Sequence, residues 1–254
     1  QRQPLMSAVE DIKPYGDDGR EKAPQVESMF DSIAPAYDFM NHAMTAGLDR
    51  LWLRRLVGEA ANGNPARILD MATGTGDVAL ALARRIPEAD ITGMDLSDGM
   101  LSKARAKKGA AGIKFVQADC CATGLPDGSF DLITIAYGLR NFADISTGLA
   151  EMLRLLRPGG KLLVLELSRP TSPIPAAFYN IYTATVIPVA GKLVSGDSNA
   201  YSYLPRSIAA CPARGQMTAL MDAAGFVDSS FRSLTMGVCT LYKAFKQQQQ
   251  HKRQ

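Results

Sequence analysis

Three aspartates close three apolar runs of this chain: Asp70 in ARILDMA (66–72), Asp95 in ADITGMD (89–95) and Asp119 in IKFVQAD (113–119). A fourth run, FDLITIA (130–136), is followed by YGLRN (137–141), which sets Arg140, a permanent cation, at the mouth of an apolar core. Behind the first run stands the loop ILDMATGTGD (68–77), in which Gly74 and Gly76 allow a sharp bend and a close approach to a ligand, while the next helix offers free N–H groups. The third glycine of a dinucleotide fingerprint is replaced here by Ala79. Asp70 and Asp77 beside the loop would repel a pyrophosphate and suit a ligand with an amino group and a positive centre. Asp95, nineteen residues after Gly76, is placed to take both hydroxyls of a ribose, and Asp119 to accept from the exocyclic amine of an adenine. Taken singly, each aspartate also reads as a helix N-cap or a loop acid. Three at successive strand ends line one crevice.

The elements that must carry these residues alternate. A fifth run, KLLVLEL (161–167), completes the series, and helical patterns fill Asp77–Arg85, Asp98–Lys108 and Ile145–Leu156, the last stopped by RPGG at 157–160. Strand and helix in turn predict an α/β fold, a mostly parallel sheet covered on both faces. A helix near 214–224 and two short-linked strands around 226–234 and 238–245 predict an antiparallel hairpin at one sheet edge. Residues 168–213, with six prolines, break the rhythm and read as a cap insertion. Residues 1–24, rich in Pro, Gly and charge, read as a poorly ordered arm, 25–246 as a single domain, and 247–254 as a disordered tail.

With 254 residues, 46% of them hydrophobic and a net charge of +3, the chain can bury a full core and is neither disordered nor fibrous; its basic runs read as solvated faces, and no nucleic-acid partner is expected. The four cysteines form no CxxC pair, so reduced thiols, no metal site and a cytoplasmic location are expected. The first thirty residues lack an apolar core segment, so no secretory signal is expected, and no transmembrane run is present.

The loop after strand one, the acids after strands two and three, and the RPGG turn resemble the class I S-adenosylmethionine-dependent methyltransferases, with their Rossmann-like seven-stranded sheet. The blocks YDFMNHAMTAGLDRLW (37–52), YGLRN, LRPGGKLLVLELSRP (156–170) and YSYLPRSI (201–208) resemble, more narrowly, the ubiquinone/menaquinone biosynthesis C-methyltransferase family over about residues 25–246. That resemblance implies methyl transfer from S-adenosylmethionine to a ring carbon of a polyprenyl quinol, with demethylmenaquinol favoured over the benzoquinol precursor of ubiquinone. It implies cofactor contacts from Thr75, Asp95, the adjoining Leu96, Asp119 and Cys120, and a loop shaped by Asp70, Gly74 and Gly76. Ala136 stands at a cofactor position where the family has Ser, Cys120 where Ala is commoner, and Asp49 where a His is frequent.

Carbon methylation needs an electron-rich carbon aligned behind the methyl group, hence the reduced quinol, and a site that stabilises a phenolate. Arg140 is the expected phenolate ligand, directly or through a water, with Asn141 beside it; Tyr37, Asp38 and Asn41 are expected to close over the substrate, Asp38 as the chemically plausible base while the resemblance points as much to Tyr37. The alternative for Arg140 is a salt bridge with an acid such as Asp144 and no catalytic duty, and for His42 a structural role. The apolar stretch 174–194 reads as core packing or as a channel for an isoprenoid tail that touches the membrane. Other acceptors, or a non-catalytic subunit of a quinone-biosynthesis complex, remain as alternatives.

Overall fold

The computed structural model describes residues 9–173 and 198–248. Three helices come first, α1 (Lys22–Ile33), α2 (Tyr37–Met44) and α3 (Leu48–Ala61). There follow β1 (Arg67–Met71), α4 (Asp77–Arg85), β2 (Asp90–Asp95), α5 (Asp98–Ala106), β3 (Ile113–Gln117), β4 (Phe130–Ala136), α6 (Ile145–Leu155) and β5 (Leu156–Leu167). The described chain ends with α7 (Ser198–Ala210), α8 (Gly215–Ala224), β6 (Phe226–Leu234) and β7 (Cys239–Lys246). The seven strands form one sheet in the order β3-β2-β1-β4-β5-β7-β6. β1 to β5 run parallel, and β7 lies antiparallel between β5 and β6, which is the hairpin expected at the edge.

Alternation along the strands sorts side chains between two cores. Ile68, Leu132, Leu163 and Leu165 pack with Trp52 and Leu56 of α3 and Leu82 of α4. Leu69, Ile133, Leu162 and Val164 point the other way, onto Leu149 and Met152 of α6 and Met217 and Met221 of α8. Both faces are thereby closed, and only the strand ends remain for a ligand. Ser97 caps α5 by accepting from Met100 N at 3.0 Å, and Asp144 caps α6 by accepting from Thr147 N at 2.8 Å.

Three sequence expectations change. RPGG does end α6, but the strand resumes at once: Leu156 pairs with Phe130 and Lys161 with Leu132, so the Pro-Gly-Gly segment bulges out, with Gly159 at φ +76°. Residues 198–210, part of the proposed cap, form α7; residues 174–197, on which the tail-channel expectation rests, lie outside the described residues. Residues 9–24 are not a loose arm. Val9 is fully buried, Glu10 accepts from Ile145 N at 2.9 Å, and Lys22 Nζ, buried, donates to Val9 O at 2.7 Å and to Arg140 O at 3.1 Å. Side-chain hydrogen bonds hold these turns where composition alone suggested none. Residues 1–8 and 249–254 lie outside the described residues.

Candidate active site

The topological switch point lies between β1 and β4, whose connections leave to opposite sides of the sheet. Each strand ends there in a left-handed residue that is not glycine, Ala72 at φ +50° and Tyr137 at φ +58°. Such backbone is held only where the surroundings force it. Here the cause is contact between the two loops: a Cβ on Gly138 would stand 2.5 Å from the Cβ of Ala72.

Above this meeting point opens a cleft of about 660 Å³, counting its open mouth. From the sheet side it is lined by Gly74, Asp95, Leu96, Asp119, Cys120 and Ala136; from the opposite side come Asn141 and the helical residues Val26, Phe30 and Tyr37. Eight of the thirteen residues expected from sequence therefore share one cleft: Tyr37, Gly74, Asp95, Leu96, Asp119, Cys120, Ala136 and Asn141. Asp95 is the most constrained of them. Its Oδ2 accepts from Gly74 N at 2.7 Å and its Oδ1 from Ser97 N at 3.0 Å, so each oxygen is fixed in place and keeps a lone pair for a ligand hydroxyl. Burial raises its pKa, and the N–H groups of Ser97, Gly74 and Leu96 oppose that shift. Asp119 accepts from Cys121 N at 2.8 Å through one oxygen and turns toward the cleft. Cys120 is a buried thiol whose pKa burial pushes well up, so it lines the cleft as a neutral group.

The other five residues line no part of the cleft. Asp70, 1% exposed, sits beneath the loop with Thr73 Oγ1 donating to one oxygen at 2.6 Å and Thr134 Oγ1 to the other at 2.7 Å. Burial lifts its pKa to about 7 against those hydrogen bonds, so it braces the loop instead of meeting a positive ligand. Gly76, at φ +82°, is needed for packing: a Cβ there would meet Ala104 Cβ at 3.0 Å. Thr75 turns to the far side, where its hydroxyl donates to Asp38 and accepts from Lys107 Nζ at 2.9 Å. Asp38 itself pairs with Lys107 at 2.6 Å. Successive helical residues point about 100° apart, so when Tyr37 faces the cleft Asp38 cannot, and the expected base is turned away. Asp77 joins the same lysine at 2.7 Å.

Arg140 is ion-paired, as its alternative reading had it, though with a different acid. Its guanidinium is buried and its acid is neither a ligand nor Asp144, which caps α6, but Glu166 on β5, with Nη1 donating to Oε1 at 2.7 Å. Burial works against the charge, while Glu166 and then Tyr37 favour it, and the pKa rises. Nη1 also donates to Tyr137 O, and Arg140 N donates to Glu166 Oε2 at 3.2 Å, so the ion pair fixes the left-handed turn that presents Asn141. Nε of Arg140 is buried with no hydrogen-bond partner.

Several residues of this network were not singled out from sequence. Tyr203 of α7 donates its hydroxyl to Asn141 Oδ1 at 3.1 Å, and Asn141 Nδ2 donates to Tyr137 O at 3.3 Å. Lys22 supports the same turn through Arg140 O, and burial lowers its pKa to about 8. Glu166 was legible: a lone acid inside KLLVLEL must find a cation or a proton. Tyr37, whose pKa burial raises, stays a neutral phenol and a donor. His42 lies 3.1 Å from Asp49, outside the cleft, and this fits its structural reading.

Comparisons with known proteins identify the family. The model of the ubiE/COQ5 methyltransferase family matches residues 18–246. A demethylmenaquinone methyltransferase of Bacteroides fragilis is 44% identical, covering 93% of this chain and 98% of that protein. One from Deinococcus radiodurans is 43% identical over 92% of this chain and 97% of its own. A ubiquinone/menaquinone biosynthesis C-methyltransferase of Geobacter sulfurreducens is 43% identical, covering 89% of this chain and 90% of that protein. Among solved structures, the S-adenosylmethionine-dependent methyltransferase SibL matches with a TM-score of 0.60 at 21% identity, over 80% of this chain and 57% of SibL. The cyclase SpnF matches with 0.62 at 20%, over 89% of this chain and 96% of its own. A methyltransferase and a cyclase share this fold, so the fold does not decide the reaction; the sequence relatives do. With its family model spanning the whole sheet and its relatives aligned along almost their full length, the chain belongs to the ubiE/COQ5 methyltransferase family.

Proposed function

We propose that this chain transfers a methyl group from S-adenosylmethionine to a ring carbon of demethylmenaquinol, giving menaquinol. Methyl transfer in quinone biosynthesis follows from the family; the acceptor is supported by the relatives at 43–44% identity, which are demethylmenaquinone methyltransferases. The observation that carries the reaction is the shared cleft, with carboxylates on its sheet side and hydrogen-bonding groups opposite.

The cleft suits the cofactor. Gly74 at φ +56° leaves the backbone open, the Asp95 oxygens are preset for two hydroxyls, and Asp119 keeps an acceptor free. Bound there, S-adenosylmethionine supplies an electrophilic methyl group on a positive sulfur. Leu96, Met100 and Phe142 give the apolar walls, and Cys120 and Ala136 line the floor without adding charge. On the acceptor side, Asn141 has one Nδ2–H left for a phenol oxygen, and Tyr37 donates from α2. Arg140 lies behind the cleft wall, positions Asn141 through the turn it holds, and lends its field to a developing phenolate. With the phenolic proton released to solvent, the ring carbon would take the methyl group as its bond to sulfur breaks and leaves a neutral thioether; the hydrogen of that ring carbon would then depart as a proton and the oxygen regain one, restoring the aromatic quinol. With Asp38 engaged by Lys107, no carboxylate of α2 serves as base.

A second acceptor, the benzoquinol precursor of ubiquinone, is favoured by the Geobacter sulfurreducens relative, whose name covers both quinones. Incubation with methyl-labelled S-adenosylmethionine and each reduced quinone in turn tests the proposal. Label is expected in the naphthoquinol at a higher kcat/KM than in the benzoquinol; label in neither refutes it, and preference for the benzoquinol replaces the acceptor. We also propose that the protein meets the membrane peripherally, since its acceptor is prenylated; no helix among the described residues is long and apolar enough to cross a bilayer.

A further inference from the structure

Five large hydrophobic side chains are exposed among the described residues, on α2, α3, β6 and the β6–β7 turn, elements that adjoin in the fold: Phe39, Leu48, Leu51, Phe231 and Met236. Phe39 is 66% and Met236 73% exposed. Leu48 and Leu51 lie three apart on the outer face of α3, and Phe39 projects from α2 just before it. The β6–β7 hairpin abuts α3, because Trp52 Nε1 donates to Thr235 Oγ1 at 2.8 Å. Phe231 and Arg232 of β6 also share a groove with Arg54 and Arg55.

Cations flank the apolar patch. Arg50 and Arg54 of α3 face Arg84 and Arg85 of α4 across an open groove. The acids nearby are already engaged: Asp38 and Asp77 with Lys107, Asp49 with His42, and Glu59 with Lys243. Among the described residues Arg50, Arg54, Arg55, Arg84 and Arg85 have no ion-pair partner. A monomer gains nothing by exposing apolar bulk beside five unpaired arginines, whereas a negatively charged bilayer surface takes both. Only α2 separates this face from the cleft, with Tyr37 turned to the cleft and Phe39 to the outside.

We propose that the outer face of α2, α3 and the β6–β7 turn docks on an anionic lipid bilayer, with Phe39, Leu48 and Leu51 entering the interface and the arginines meeting lipid phosphates. The inference rests on the reading above in one respect, that a prenylated acceptor is held in the bilayer. A docked α2 sets the cleft at the lipid surface, so the acceptor's ring reaches the site while its tail stays in lipid.

Flotation of the full-length protein with phosphatidylcholine vesicles, with and without phosphatidylglycerol, tests this. Binding is expected only to the anionic vesicles, weakening with added salt. The double variants Phe39→Ser/Leu51→Ser and Arg54→Glu/Arg55→Glu should each lower partition at least about tenfold. Methyl transfer to a short-chain soluble quinol should be unchanged in both, while transfer to a long-chain quinol in vesicles falls. Absence of wild-type flotation, or variants that float like wild type, overturns the proposal. So does a variant-dependent loss of dimer mass in light scattering with vesicle binding intact, which would assign the face to a second copy. Loss of all transfer to soluble quinols by the wild type would instead refute the functional reading and leave the flotation result standing.

Discussion

Replacing Glu166 by Gln should destabilise the protein far more than the loss of one surface ion pair. Arg140 and Glu166 side chains are 7% and 2% exposed, and Glu166 also accepts from the backbone of Arg140 and, at 2.9 Å, from Leu167 N. Glutamine keeps the shape but leaves a buried guanidinium without its counter-charge, and breaking a buried pair in this way costs about 3–5 kcal/mol. For a domain of this size each kcal/mol moves Tm by about 2–4 °C, so a fall of about 6–20 °C is expected by calorimetry. Removing both charges with Arg140→Leu/Glu166→Leu should restore at least about 2 kcal/mol relative to the sum of the single changes, while methyl transfer stays absent. A Tm within about 2 °C of wild type for Glu166→Gln would refute the argument, because the pair would then be solvated in solution. Full activity in the double variant would equally remove Arg140 from the site.

Other changes separate binding from chemistry. Asp95→Asn should weaken S-adenosylmethionine by about 100-fold in isothermal titration, since two charged acceptors for hydroxyls become weaker ones. Asn141→Ala should lower kcat with cofactor affinity unchanged; Tyr203→Phe, which frees Asn141 Oδ1, should lower kcat by about fivefold with KM for cofactor intact. Gly138→Ala should cost about 1–3 kcal/mol because its Cβ would fall 2.5 Å from Ala72, whereas Gly112→Ala, with open space around it, should be nearly neutral by urea denaturation. Asp70 holds its proton to about pH 7 when folded and to about pH 3.9 when unfolded, so between those values the native state binds more protons. Its contribution is therefore fully present at low pH and is lost as pH rises toward 7, at up to about 1.4 kcal/mol per unit; the gap between wild type and Asp70→Asn should narrow over that range.

The sheet was legible because β1, β2, β4 and β5 are buried on both faces and read as apolar runs between helical patterns, while β3, at the edge, is half-exposed. The acids at the strand ends were legible for the same reason: Asp95 and Asp119 interrupt apolar segments at the one edge where a sheet leaves room. Roles were harder to read than positions. Thr75 and Asp38 are one residue away from Gly74 and Tyr37, yet a single step along a loop or helix turns them to the far side with Lys107. Arg140 showed that it needed an acid, but the acid lay 26 positions on in an adjacent strand, and only the register of β4 on β5 brings Glu166 beneath it. Lys22 carried no signal at all, since its neighbours are those of an exposed turn.

The contact between Ala72 and Gly138 fixes where this protein can vary. Two loops that meet without space for one methyl group cannot be lengthened or spread, so the inner wall of the cleft has one shape. The outer wall is different in kind, made of side chains on α1 and α2, with α1 tied to α5 through Asp31, whose carboxylate accepts from Ser97 Oγ and Gly99 N. A change of acceptor ring or tail must therefore be accommodated at Val26, Phe30 and Tyr37, by exchanging the side chains these helices present. Selection for a new quinone would be expected to write itself there and leave the switch point untouched.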